Sequence, residues 1–151
     1  MKTLAIGKGE CLKEGNDLAV ITIGTMASHA QPAIEQIEKE YNTSIAHYDI
    51  RFLKPLDEDM LHEIAGKFNQ IITIEDGVIQ GGFGSAVLEF MSDNKYAIQV
   101  KRLGIPDSFI EHGTPEELYT MLGLDSAGIA KSIAECLKGS KSLKGLKSLN
   151  V

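Results

Sequence analysis

Residues 70 to 90, QIITIEDGVIQGGFGSAVLEF, decide how this chain folds. The run Ile71-Ile72-Thr73-Ile74 is apolar and β-branched, the composition of a buried strand. Glu75-Asp76-Gly77 is expected to close that strand with two carboxylates and a turn residue. A short loop follows, and Gly81-Gly82-Phe83-Gly84-Ser85 leads into the helical pattern Ala86-Val87-Leu88-Glu89-Phe90-Met91. Strand, glycine-rich loop and helix in this order belong to α/β sheets, whose functional edge lies at the strand C-termini.

The pattern extends in both directions. Upstream, Asp57 caps a helix over Glu58 to Phe68, with Met60, Leu61, Ile64, Ala65 and Phe68 on one face. Ser44 to Ile50 precedes it as a strand, joined to it by Arg51 to Leu56. Within residues 17 to 24, Leu18 to Thr22 is apolar or β-branched throughout, as a central strand covered on both faces requires. Gly24-Thr25 turns the chain, and Ser28 is expected to cap a helix reaching about Tyr41, with Pro32 in its first turn. Residues 1 to 16 support only a short edge strand near Glu10 to Lys13.

Downstream, the helix after the glycine-rich loop ends near Asp93-Asn94, and Ile98 to Ile105 is the last strand. Pro106-Asp107 breaks it, and a loop from Ser108 to Gly113 carries Glu111-His112-Gly113. Thr114-Pro115-Glu116-Glu117 is a compact helix start, with a cap, a proline at the first helical position and acids in the first turn. That helix stops at Gly123, and Asp125 caps the last one, through about Lys138. Strands alternating with helices predict a mostly parallel sheet with right-handed crossovers and helices on both faces, a three-layer α/β/α sandwich. One domain is expected over residues 1–138. The Lys/Leu-rich stretch 139–151 is expected to be a flexible basic tail rather than a membrane or partner segment.

Bulk properties narrow the function classes. The 151 residues are 43% hydrophobic, which suits one domain with a substantial core. The net charge of −6, with acids and bases interspersed, argues against a nucleic-acid surface. No apolar run approaches the roughly eighteen residues of a membrane span, and Gly7-Lys8-Gly9 arrives too early for a signal peptide. Cys11 and Cys136 stand far apart without metal or redox spacing, which reads as two reduced thiols in a cytoplasmic protein.

Chemistry is thinly marked. The loop Gly81-Gly82-Phe83-Gly84-Ser85 could present backbone N–H groups to a phosphate or carboxylate at a helix start. The preferred reading is that its glycines let the helix pack close to the sheet or to another domain. As a dinucleotide fingerprint the loop is poor, because Val87 stands where the third glycine belongs, and no P-loop occurs. Glu75 and Asp76 are strand neighbours pointing to opposite faces, suited to capping the loop backbone or touching a partner rather than to acid–base work as a pair. Of the histidines, only His29 and His112 can share the functional edge, and none has metal-ligand spacing. No GxSxG elbow surrounds a serine. The candidates for an anion or a domain contact are Asp76, Gly81, Gly82, Gly84, Ser85, Arg51 and His112.

Taken together, several stretches resemble the C-terminal domain of the 1-deoxy-D-xylulose-5-phosphate synthase family, within the transketolase superfamily. They are Ile6-Gly7-Lys8-Gly9, residues 21–26 (ITIGTM), residues 48–57 (YDIRFLKPLD), residues 73–77 and 81–87 (TIEDG and GGFGSAV), residues 103–110 (LGIPDSFI), and His112-Gly113-Thr114. The resemblance runs collinearly from about Ile6 to Lys138. It implies a five-stranded mixed sheet in which Glu10 to Lys13 forms the antiparallel edge strand. Enzymes of this family condense pyruvate with glyceraldehyde 3-phosphate, releasing carbon dioxide, with thiamine diphosphate and Mg²⁺. Their product feeds isoprenoid, thiamine and pyridoxal phosphate synthesis.

The same resemblance assigns the cofactor machinery to two earlier domains. The Gly-Asp-Gly that opens the thiamine diphosphate signature does not occur here; Glu75-Asp76-Gly77 with Asn94 lacks the leading glycine and has too short a spacing. No catalytic, cofactor-binding or metal-binding residue therefore transfers to any position, and the chain alone is expected to be inactive. Its expected partners are the two N-terminal domains and a second subunit of a homodimer, with its role in packing and dimer support. The other reading is a free-standing anion- or nucleotide-binding α/β module.

Overall fold

The computed structural model describes residues 3–108 and 112–149, with side chains through residue 140. Five strands and five helices follow one another along these residues, alternating from β2 to α4: β1 (Glu10–Lys13), β2 (Leu18–Thr22), α1 (Met26–Tyr41), β3 (Ile45–Asp49), α2 (Glu58–Lys67), β4 (Gln70–Val78), α3 (Phe83–Asp93), β5 (Gln99–Ile105), α4 (Pro115–Leu122) and α5 (Ser126–Leu149). The strands form one sheet in the order β1-β3-β2-β4-β5. All neighbouring pairs are parallel except β1 with β3, so the antiparallel edge strand is Glu10–Lys13, as expected.

The two-residue period of a strand divides the core between the faces of the sheet. Leu18, Val20, Ile45, Ile72 and Ile74 pack with Ala30, Ile34, Ile37, Ile129 and Ile133 of α1 and α5. Ala19, Ile21, Ala46, Tyr48 and Ile71 pack on the other face with Leu61, Ile64, Phe83, Val87 and Phe90 of α2 and α3. Every residue of β2 is buried, the expected signature of a central strand with helices over both faces. Among the buried polar residues, Thr22 and His47 lie on adjoining strands and satisfy each other at 3.0 Å between Oγ1 and Nε2. Burial pushes the His47 imidazole down to about 4.

Element boundaries depart from the sequence reading by more than one residue in four places. Helix α1 begins at Met26, with Thr25 at the N-cap, so Ser28 lies inside it and donates its hydroxyl to the Thr25 carbonyl at 2.8 Å. Pro32 therefore sits beyond the first turn; the carbonyl it cannot serve belongs to Ser28, which is exposed to water. Strand β4 does not stop at Glu75-Asp76-Gly77 but runs to Val78. Ile74 pairs with Leu103 and Val78 with Ile105, so four steps along β4 match two along β5 and the strand bulges between them. Helix α3 starts at Phe83 rather than Ala86, which places Gly84 and Ser85 in its first turn. Helix α5 continues past Lys138 to Leu149. Once a helix is nucleated each added residue is cheap, and the Lys and Leu residues of this stretch are good helix formers despite Gly139 and Gly145. The expected caps at Asp57 and Thr114 are present, the latter as a full capping box with Glu117. Part of the expected 108–113 loop, residues 109 to 111, lies outside the described residues.

Candidate functional site

The C-terminal edge of the sheet gathers most of the candidates. Along β4 the side chains alternate, so Ile71, Thr73 and Glu75 face α3, whereas Ile72, Ile74 and Asp76 face α1 and α4. Glu75 is only 5% exposed. Its Oε2 accepts from the Phe83 N–H at 2.9 Å and its Oε1 from the Gly84 N–H at 3.0 Å. A helix start is electropositive and leaves unpaired N–H groups, and here a carboxylate of the same chain satisfies two of them. The backbone groups that could have cradled a phosphate hold Glu75.

The glycines follow from this approach. A Cβ on Gly82 would lie 2.3 Å from Glu75 Oε2 and 2.5 Å from the Val78 carbonyl. One on Gly84 would lie 2.8 Å from the Thr73 hydroxyl and 2.9 Å from Arg102 Cγ. Only residues without a side chain let α3 settle this close to β4 and β5. Ser85 then closes the loop: its Oγ accepts from the Gly81 N–H at 3.1 Å and donates to the Ile79 carbonyl at 3.0 Å. Arg102 Nη1 donates to the same Ser85 Oγ at 3.0 Å. Gly81, Gly82, Gly84 and Ser85 thus form one packed unit with Glu75 and Arg102.

Asp76, on the opposite face, is exposed and accepts from the Tyr119 hydroxyl at 2.8 Å and, more weakly, from Thr25 Oγ1 at 3.4 Å. The bond to the carboxylate raises the Tyr119 phenol above its ordinary value. His29 meets the Tyr119 ring edge-on, with centroids 5.2 Å apart, so of the two histidines expected at this edge His29 joins the Asp76 group. His112 is exposed in the segment before α4. Arg51 lies at the end of β3 with φ of 63°, its N–H held by Asp49 Oδ1 at 3.1 Å and its guanidinium paired with Glu10 of β1. Tyr119 escaped the sequence reading: it lies 43 residues along the chain from Asp76, and no local pattern marks it.

The Asp76 carboxylate does not fit a magnesium–diphosphate site. Such a site needs several hard oxygen ligands around one ion, and Asp76 is engaged by two neutral hydroxyls. Among the described residues no group of three or more His, Cys, Asp or Glu is placed to hold a metal ion. No described helix is long and apolar enough to cross a membrane.

A five-stranded sheet of this order, with its antiparallel edge and two helical layers, is the fold of transketolase domains. The backbone matches a split gene transketolase solved as an inactive beta4 tetramer, with a TM-score of 0.81 and 32% identity over 89% of this chain and 44% of that one. It also matches a transketolase mutant from Pichia stipitis at a TM-score of 0.64, where 16% identity speaks for the fold alone. Residues 7–129 match the family "Transketolase, C-terminal domain", and the chain belongs to that family. Within it, the chain is 57% identical over 131 residues to the 1-deoxy-D-xylulose-5-phosphate synthase of Phocaeicola vulgatus, covering 87% of this chain and 21% of that enzyme. It is 54% identical over 135 residues to the enzyme of the same name from Bacteroides fragilis, again covering 21% of it. The chain spans about a fifth of the length of the curated relatives it matches.

Proposed function

We propose that this chain serves as the C-terminal domain of a 1-deoxy-D-xylulose-5-phosphate synthase. That enzyme condenses pyruvate with glyceraldehyde 3-phosphate, using thiamine diphosphate and Mg²⁺, to supply isoprenoid, thiamine and pyridoxal biosynthesis. The observation carrying the proposal is 57% identity spread over 87% of the chain, confined to 21% of the relative's length. In this reading the domain packs against two N-terminal domains, supports a homodimer and works in the cytoplasm, with its cysteines as free thiols. It contributes no residue to the chemistry and is inactive alone. Its own carboxylate at the start of α3 supports a packing role over a free-standing anion- or nucleotide-binding one.

The test replaces the C-terminal fifth of the Phocaeicola vulgatus enzyme with this chain. The expected result is a dimer that releases carbon dioxide from pyruvate in the presence of glyceraldehyde 3-phosphate. A chimera that folds but stays monomeric and inactive overturns the proposal.

A further inference from the structure

We propose that the cleft between the end of β4 and helix α4 is a binding site for a small organic cation, an ammonium group on an apolar body, with Asp76 as its counter-ion. This goes beyond the packing role proposed above and does not depend on it. The cleft has a volume of about 440 Å³, a size suited to a small molecule. Val78, Ile105, Leu118 and Leu122 supply apolar walls, and Asp76 and Tyr119 supply the polar end.

Three elements build the cleft. Asp76 and Val78, two residues apart on β4, both line it. The bulge that carries β4 on to Val78 pairs that residue with Ile105, so β5 contributes the adjoining aliphatic side chain. Leu118 and Leu122 stand one turn apart on one side of α4. Leu118 is the only buried residue of that helix, so α4 leans on the sheet without filling the space beside Val78, which stays 43% exposed.

The charge of the cleft selects the ligand. Both hydroxyls that reach Asp76 donate to the same oxygen, Oδ2, Tyr119 at 2.8 Å and Thr25 at 3.4 Å, so Oδ1 remains for a ligand. Neutral donors orient the carboxylate but leave its negative charge in place. Among the described residues no Lys, Arg or His is paired with Asp76. Glu116, in the first turn of α4, adds negative potential around Tyr119. A carboxylate without a counter-ion, beside an aromatic ring and aliphatic walls, is the combination that recognises an ammonium group carried on an apolar body. The same charge works against phosphate and carboxylate ligands.

The probes are benzylammonium, its neutral counterpart benzyl alcohol, and benzoate, titrated into this chain at neutral pH and followed by methyl NMR. Benzylammonium should shift the methyls of Val78, Ile105, Leu118 and Leu122 saturably. It should bind at least about fivefold more tightly than benzyl alcohol, the weight of one exposed ion pair. Benzoate should bind more weakly than either. Asp76→Asn keeps an acceptor for the Tyr119 hydroxyl but removes the charge. It should bring benzylammonium down to the affinity of benzyl alcohol, whose own affinity should not change. Val78→Thr, which makes one wall polar at the same size, should weaken the cation and the alcohol alike. No saturable shift with the cation, equal affinity for cation and alcohol, or cation affinity untouched by Asp76→Asn overturns the proposal. Methyl shifts that follow protein concentration without any probe would assign the cleft to a second copy of the chain and overturn it as well.

Discussion

Gly82 lies so close to Glu75 that a Cβ at position 82 would sit 2.3 Å from the carboxylate oxygen Oε2. The other near atom, the Val78 carbonyl at 2.5 Å, belongs to the backbone and cannot swing away. Gly82→Ala must therefore displace either the helix start or the carboxylate that caps it. The expected cost is about 1–3 kcal/mol, as for other overpacked sites. Urea unfolding at neutral pH measures it, and an unchanged midpoint would disprove the close-approach account.

Glu75 itself should be sensitive to charge as well as shape. Glu75→Gln retains one acceptor oxygen but turns an NH₂ group toward an N–H of α3. Its expected cost is about 1–2 kcal/mol, the worth of a charge-assisted hydrogen bond. Glu75→Ala removes both acceptors and should cost more. Added phosphate should recover part of the stability of the Ala variant, because the vacated helix start is an anion site. Thermal melts with and without phosphate read both effects.

His47 gives the fold a pH dependence of known sign. Its folded-state value is lowered by burial from 6.5 to about 4, so below pH 6.5 the unfolded chain binds a proton that the folded chain refuses. The stability present at neutral pH therefore falls as the pH drops from 6.5 towards 4. The loss from this one group approaches about 3 kcal/mol. Comparing parent and His47→Gln at pH 7 and pH 4.5 isolates it. The variant should show a shallower fall, whatever its stability at pH 7.

Thr114→Ala removes the side-chain half of the capping box, in which Thr114 Oγ1 accepts from the Glu117 N–H at 3.3 Å. Exposed caps of this kind contribute about 1 kcal/mol. The loss should be confined to α4, where Leu118 is the only buried residue. Faster amide exchange from Glu117 to Leu122, with β5 unaffected, is the expected pattern.

The chain alone should not bind thiamine diphosphate with Mg²⁺ at micromolar concentrations. The Phe83 and Gly84 amides are committed to Glu75, and Asp76 is committed to Tyr119 and Thr25. Calorimetric titration checks this, and micromolar binding would place part of the cofactor site in this domain.

The architecture was legible in the sequence because it rests on local periodicity. The unbroken apolar run Leu18 to Thr22 requires cover on both faces, and Thr114-Pro115-Glu116-Glu117 starts a helix by itself. Alternation of strands with helices set the layers, and the rule that strand neighbours face opposite ways separated Glu75 from Asp76. The orientation of Glu10–Lys13 came from family resemblance, since four residues carry no directional signal. Tertiary structure alone decided where the side chains of the edge find their partners. Glu75 reaches Gly84 through the packing of α3 on the sheet, Asp76 meets Tyr119 across 43 residues, and Asp57 holds Gly9 across 48. It also decided that β4 bulges and runs on to Val78, because pairing with β5 outweighs the turn preference of Asp76-Gly77. Hydrophobic pattern is a property of neighbouring residues and survives in one dimension; hydrogen-bond partnership across a sheet depends on distances that exist only once the helices have packed.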